Sequence, residues 1–267
     1  MIARLLRSII PPPARAALKR ALSLPDEYRF YPARSVVEQR VVFITRGRTL
    51  TVAADHALPL YDTIAEIVDF DAYQLAALPA LGPAPLILDV GANIGVASLV
   101  LAQIPGSTVV AFEPLPANAT WLRENLARNG ADNVDVVVKA MTAHDGTALF
   151  RAMPDLNVGG QVWDGASAEA GLVTVATVSL RTALASYQGR DVALIKLDCE
   201  GGEYEIVEQL DAELATRIRA LTFEVHDRDD ARNVRTLSER LRALGYRLTS
   251  RPDLFGRRAL HHLLATR

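Results

Sequence analysis

Residues 86–99, LILDVGANIGVASL, constrain the fold more than any other part of the chain. The apolar run LILDV (86–90) reads as a buried strand that ends in an acid. A small glycine turn follows and opens onto a second apolar run that reads as a helix over 94–103. The same alternation continues. STVVAFEP (107–114) is a strand, ANATWLRENLARNG (117–130) a helix with a glycine stop, and VDVVVKAM (134–141) a third strand. Asp145-Gly146 reads as a hairpin turn leading into TALFRA. VALIKLD (192–198) is another strand, 203–210 a helix, RALTFEVH (219–226) a fifth strand and 231–244 a helix. GYRLTS and RALHHLLATR are two closing strands. Strands alternating with helices imply an α/β fold, with a parallel sheet covered on both faces.

The Pro- and Gly-rich segment LGPAP (81–85) divides the chain into an N-terminal extension, 1–80, and a main domain, 81–267. Within the extension, 36–54 reads as a hairpin around Arg46-Gly47-Arg48, and 62–78 as a helix with Ile64, Ile67, Val68 and Leu75 at helical spacing. The opening MIARLLRSIIPPPARAALKRAL resembles a signal peptide only superficially. Arg4 and Arg7 interrupt it and Pro11, Pro12 and Pro13 break any helix, so it reads as mature sequence. Arg4, Arg7, Arg15, Lys19 and Arg20 suit weak contact with an anionic membrane surface. They better suit a helical arm packed on the body or on the second subunit of a homodimer. With a net charge of −2 there is no global basic field for nucleic acid. Cys199 is the only cysteine, which precludes an internal disulfide and leans toward a cytoplasmic location. No apolar run reaches the roughly 18–20 residues that span a bilayer. The polar, glycine-rich stretch 154–171 reads either as a lid or as a surface excursion.

Ligands of open α/β sheets bind beyond the carboxyl ends of the strands, where Gly91–Gly95 lies. A dinucleotide turn wants G-x-G-x-x-G, but counting from Gly91 the second and third glycines are replaced by Asn93 and Val96. Cβ atoms therefore stand where a pyrophosphate would approach. A phosphate-free nucleoside tolerates this turn, and Glu113, at the end of the next strand, suits a ribose diol. Three motifs, D-V-G-A-N-I-G (89–95), F-E-P-x-P-x-N (112–118) and I-K-L-D-C-E-G-G-E (195–203), together resemble the FkbM family of methyltransferases over about residues 86–227. Gly202 stands where that family usually has Ala. The resemblance implies a class I, Rossmann-like methyltransferase sheet with a closing antiparallel strand, S-adenosyl-L-methionine as cofactor, and transfer to a hydroxyl oxygen. Its implied cofactor-binding residues are Asp89, Gly91, Asn93, Gly95, Glu113, Pro114, Ala140 and Asp198. Met141 also lies on the adenine side. Asp145 is a further adenine-side candidate, although its place beside Gly146 is better explained by a turn. Asn118 is expected to cap its helix.

Alternation along the strands puts Lys196, Asp198 and Glu200 on one side, and Thr222, Glu224 and His226 on a shared face of the next strand. A lysine in an apolar strand needs a partner. A polar cluster of Lys196, Asp198, Glu224 and His226 is therefore expected at the carboxyl edge of the sheet. These four are the candidate catalytic residues, with His226 and Asp198 as candidate bases for an alcohol. A hydrogen-bonded strand-end histidine explains His226 equally well. Glu203 suits a helix N-terminus, Glu200 a cap for the same helix, and Cys199 a buried small hydrophobe. Asp198, Glu224 and Asp227 form a minority metal-ligand set, with no compact motif behind it. The expected acceptor is a small hydroxylated molecule such as a metabolite, sugar or glycolipid. Tyr61, Tyr73 and Trp163 are candidates to line its cleft. A nicotinamide-dependent dehydrogenase and a non-catalytic S-adenosylmethionine-binding module are the rival functions.

Overall fold

In the computed structural model, residues 40–54, 60, 63–78, 80–152, 160–162, 172–187, 189–252 and 259–267 are described. The basic arm, Tyr61, Trp163 and the stretch 154–171 other than 160–162 lie outside them. The first element is a hairpin, β1 (Arg40–Thr45) and β2 (Arg48–Ala53). Its two-residue turn has positive φ at both Arg46 (47°) and Gly47 (76°), the combination whose twist suits adjoining strands. Val41, Phe43, Leu50 and Val52 face inward, while Val42 and Ile44 face outward.

The helix expected over 62–78 is interrupted. A widened helical turn over Ala65–Asp69 is followed by Asp71 and Gln74 at φ 48° and 54°, then by one tight turn at Leu75–Ala77. The Asp71 carboxylate accepts from the amides of Leu75 (2.7 Å) and Ala76 (3.1 Å). Local side-chain capture of this kind competes with continuous helix. The break turns Tyr73 toward the sheet, where its carbonyl accepts from the Thr222 hydroxyl at 2.7 Å.

The main sheet contains β3 (Leu86–Val90), β4 (Thr108–Phe112), β5 (Val134–Val137), β10 (Val192–Leu197), β11 (Ala220–His226), β12 (Arg247–Pro252) and β13 (Leu260–Thr266). Its order is β12-β13-β11-β10-β3-β4-β5. The five strands from β11 to β5 are parallel, and β13 runs antiparallel between β11 and β12. The chain moves outward from β3 in both directions, so the switch point lies between β3 and β10. Leu86, Leu88 and Val90 face one apolar layer with α4 (Glu203–Glu208), α5 (Ala212–Thr216) and α6 (Val234–Ala243). Ile87 faces the other, with α1 (Val96–Leu101), α2 (Pro116–Asn129) and the hairpin. Gly130, at φ 62°, ends α2 as expected. Asn125 and Asn129 of α2 act as surrogate strand partners for β2. Asn125 bonds the amide and carbonyl of Ala53, and Asn129 those of Thr51, all at 2.8–2.9 Å.

The expected strand 134–141 is divided. Val134–Val137 stays in the main sheet, whereas β6 (Ala140–Thr142) joins a second, four-stranded sheet. There β9 (Leu172–Ser179) lies between β6 and β7 (Gly146–Ala152), and β8 (Gly160–Val162) forms the far edge. Asp145-Gly146 therefore does not close a hairpin of β6 with β7. Asp145 instead accepts from the Ser179 amide (2.8 Å) and the Thr182 hydroxyl (2.7 Å), fixing the start of α3 (Leu180–Ala185). Among the described residues, no helix is long and apolar enough to cross a membrane.

Candidate functional site

The turn after β3 is pinned from several sides. The amides of Gly91 (3.1 Å) and Ala92 (3.0 Å) both donate to the Phe112 carbonyl at the end of β4. Gly91 has φ 77°, and a Cβ there would overlap the Asp198 carbonyl, so glycine is required by both conformation and space. Lys196 Nζ donates to the Gly91 carbonyl at 2.8 Å, and Asn125 Nδ2 to that of Ile94 at 2.9 Å. Gly95, at φ 96°, starts α1.

Glu113 closes the turn from the β4 side. Its Oε2 accepts from the Asn93 amide at 2.9 Å, and its Oε1 from the Leu115 amide (3.0 Å) and Asn118 Nδ2 (3.3 Å). Asn118 thus does not cap α2. Leu115 precedes the helix, Pro116 opens it, and Asn118 holds the acid. Burial outweighs these donors and raises the Glu113 carboxyl from 4.5 to about 7. Pro114, the next residue, is half-buried. Ala140 and Met141 are buried just past the end of β5, where the Val137 carbonyl accepts from the Glu113 amide at 3.1 Å.

On the other side of the switch point, Lys196 lies in register with Asp89 on β3 and Thr222 on β11. Its ammonium is 3.1 Å from Asp89 Oδ1 and 3.5 Å from Asp198 Oδ2, and it sits over the Tyr73 ring at 5.3 Å. Ser98 of α1 donates to Asp89 Oδ2 at 2.6 Å. Burial opposes charge on Lys196, but the carboxylates outweigh it and hold its pKa above the usual lysine range. Burial likewise opposes charge on Asp198. Lys196 and the Tyr73 hydroxyl, which donates to Oδ2 at 2.6 Å, nonetheless hold it below the ordinary aspartate range.

Beyond Asp198 the edge continues as an imidazole among carboxylates. His226 Nε2 is 3.2 Å from Glu200 and 3.6 Å from Glu224, and its Nδ1 is 3.3 Å from the fully buried Glu203. Burial alone would lower the His226 pKa, but hydrogen bonds and charge from Glu200 and Glu203 push it up to about 11. Glu200, at φ 54°, pairs with His226 and does not cap α4. The residue preceding α4 is Gly202, without a side-chain cap. A methyl group at 202 would meet Cys199 Sγ at 3.2 Å, so the glycine here accommodates Cys199. Asp227 points elsewhere, bonding His261 (3.1 Å) and the Val234 amide (2.7 Å), and so leaves the expected metal-ligand set. His226 stands with Asp198 and Glu224 in its place.

The structure therefore gathers Lys196, Asp198, Glu224 and His226 along one edge, next to the turn. It also brings in Tyr73, expected to line the acceptor cleft but from within a continuous helix, whose hydroxyl instead reaches Asp198 from the broken helix.

The sequence model for the methyltransferase FkbM domain matches residues 89–248, more than half the chain and the whole span from the acid of β3 into β12. The chain belongs to the FkbM methyltransferase family. This FkbM methyltransferase is 29% identical over 221 residues to the 31-O-demethyl-FK506 methyltransferase FkbM of Streptomyces tacrolimicus, covering 70% of this chain and 82% of that one. It is also 29% identical over 189 residues to the methyltransferase sdnD of Sordaria araneosa, covering 60% and 72%. A crystal structure of methyltransferase FkbM from Methylobacillus flagellatus superimposes with a TM-score of 0.51 at 17% identity. The match covers 72% of this chain and 46% of that one, and it supports the shared fold.

Proposed function

We propose that this FkbM methyltransferase uses S-adenosyl-L-methionine to methylate a hydroxyl oxygen on a small metabolite, sugar or glycolipid. The reading is carried by the joining of Glu113 to the glycine turn: a buried acid bonded to the Asn93 amide at 2.9 Å makes a nucleoside cradle, with Asn93 and Val96 where a dinucleotide turn has its second and third glycines. Asn93 Oδ1 adds to the fit. It is buried at the same turn with no hydrogen-bond partner among the described residues, and so is open to a donor from the ligand. When bound, the cofactor supplies an electrophilic methyl group on a positively charged sulfur.

Each part of the chain has a distinct task in that reaction. Gly91, Asn93 and Gly95 hold the nucleoside against backbone, with Asp89 and Lys196 fixing the turn from beneath. Glu113, with Pro114 next to it, accepts from the ribose, and Ala140 and Met141 lie toward the base. The acceptor approaches from the other side, along Asp198, Glu224 and His226. Alignment of donor and acceptor alone can lower such a barrier by roughly 7–11 kcal/mol. Both ring nitrogens of His226 already face carboxylates, so the acceptor proton falls to a carboxylate. Asp198 and Glu200, whose side chains are 25% and 39% exposed, are the ones an acceptor can reach. Lys196 and Tyr73 keep Asp198 ionised and oriented.

Calorimetric titration with S-adenosylhomocysteine, followed by a screen of hydroxylated acceptors with labelled S-adenosylmethionine, tests the proposal. Micromolar binding that Glu113→Ala removes, with label appearing as an ether, is the expected result. Binding of NAD in place of S-adenosylhomocysteine would overturn the cofactor. Binding without turnover on any acceptor would point to a non-catalytic module.

A further inference from the structure

Four carboxylates meet at the acceptor edge, Asp198, Glu200, Glu203 and Glu224, with the fully buried Asp89 behind them on β3. Against them stand Lys196 and His226, while Arg228 donates to the Glu200 carbonyl at 3.3 Å. Within this group Asp198, Glu224 and His226 each offer one ligand atom, and the three atoms lie within 4.8 Å of one another. Two carboxylate oxygens and one imidazole nitrogen, leaving other positions for water or substrate, suit a hard divalent cation. The set rests on rigid supports. Glu224 and His226 are two apart on β11 and share a face, and Asp198 directly follows β10.

The surroundings of the set point the same way. A metal-binding histidine commonly donates its second ring N–H to a carboxylate, which fixes the ring and leaves the first nitrogen free to ligate. Glu203 occupies that position. It is fully buried, its Oε1 lies 3.3 Å from His226 Nδ1 and accepts from the Cys199 amide at 3.1 Å, and its Oε2 has no hydrogen-bond partner among the described residues. With Nδ1 committed there, Nε2 is the nitrogen that faces Glu200 and Glu224. Tyr73 similarly fixes Asp198.

We propose that Asp198, Glu224 and Nε2 of His226 bind one divalent cation of the Mg²⁺ or Mn²⁺ class beside the acceptor hydroxyl, an inference that rests on reading this edge as a methyl-transfer site. The cation takes the place of the proton on Nε2 and makes a hydroxyl bound to it more acidic. The hydroxyl proton passes to Glu200. The oxygen forms its bond to the methyl carbon as the carbon–sulfur bond breaks, and that electron pair remains on sulfur. A second trio, Glu66, Glu224 and His262, shares Glu224. His262 is almost wholly buried there, so a cation in that trio is poorly placed to meet an acceptor.

The test is titration of the EDTA-stripped full chain with MnCl₂ alone, with free Mn²⁺ followed by electron paramagnetic resonance. One Mn²⁺ per chain is expected. His226→Ala and Glu224→Gln should each weaken binding by about tenfold or more, Glu66→Gln should leave it unchanged, and thermal melts check the fold of each variant. Absence of Mn²⁺ binding to the unaltered chain, binding retained in both His226→Ala and Glu224→Gln, or loss in Glu66→Gln overturns the proposal. Calorimetry with S-adenosylhomocysteine on the same stripped protein separates the two readings. Cofactor binding and turnover in a chain that takes no Mn²⁺ remove the cation and leave the methyl-transfer reading standing. Loss of cofactor binding removes that reading instead.

Discussion

If the ribose lies against Glu113 as proposed, the cofactor site has a built-in pH dependence. The Glu113 carboxyl is raised from 4.5 to about 7, chiefly by burial, with the amides of Leu115 and Asn93 and the side chain of Asn118 opposing. Ribose hydroxyls donate to a carboxylate, so the ionised form is the one that binds. Between pH 8 and pH 6 the ionised fraction falls from about nine-tenths to about one-tenth, so affinity for S-adenosylhomocysteine should weaken about tenfold. Binding near pH 6.5 should also release a proton, visible as a calorimetric enthalpy that depends on the buffer. Glu113→Gln should bind weakly and without this pH dependence.

Stability should move in the opposite direction. The folded pKa is raised, so the contribution of the neutral acid is fully present below about 4.5 and is lost as pH rises through about 7. A rise from 4.5 to about 7 corresponds to about 3 kcal/mol. Relative to Glu113→Gln, the ligand-free protein should lose roughly that much across the window in denaturant melts. A dissociation constant that stays flat from pH 6 to 8, matched in Glu113→Gln, would refute the placement of the ribose against this acid.

Three further perturbations test the supports of the site. Gly91→Ala forces a Cβ onto the Asp198 carbonyl at a positive φ. It should cost at least about 2 kcal/mol and abolish S-adenosylhomocysteine binding, as read by melts and calorimetry. Lys196→Met leaves Asp89 buried without its ammonium and should destabilise the chain by about 3–5 kcal/mol, with partial recovery in the double variant Lys196→Met/Asp89→Asn. Tyr73→Phe removes a 2.6 Å bond to a carboxylate and should cost about 1.5–3 kcal/mol in urea melts. With an acceptor in hand, it should lower turnover while leaving cofactor affinity within about twofold, because Tyr73 touches the acceptor edge and not the glycine turn.

The parallel strands were legible because each is an apolar run bounded by turn residues, and the two-sided burial of LILDV and VALIKL leaves little else for them to be. The cluster at the edge was legible for a related reason: a lysine inside VALIKLD has to find acids, and strand alternation said which ones were near. Two features were hidden because tertiary contacts override local pattern. Nothing between Val137 and Ala140 announces that the chain leaves one sheet for another, since VDVVVKAM reads as one strand until β9 supplies a partner for its second half. The helix expected over 62–78 gave way to side-chain bonds of Asp71 that compete with the helix only once the sheet is there to receive Tyr73. The motif position of Asn118 fits a cap, but in the fold Pro116 takes the start of the helix and Asn118 turns to Glu113.

The turn itself explains how one chain can serve two substrates at once. Its carbonyls are held by Lys196 from β10 and by Asn125 from α2, and its amides by Phe112 and Glu113 at the end of β4. Elements from both sides of the switch point thus converge on five residues, so the cradle is formed before any ligand arrives and binding has little ordering left to impose. The same lysine that holds Gly91 also contacts Asp198, and the backbone of Asp198 lies against Gly91. A shift of the donor's bed therefore moves the acceptor's carboxylate with it. In a displacement that depends on donor and acceptor remaining in line, this mechanical link matters more than the strength of any single contact. It predicts that substitutions at Lys196 which preserve folding will impair turnover and cofactor binding together, where those at Tyr73 impair turnover alone.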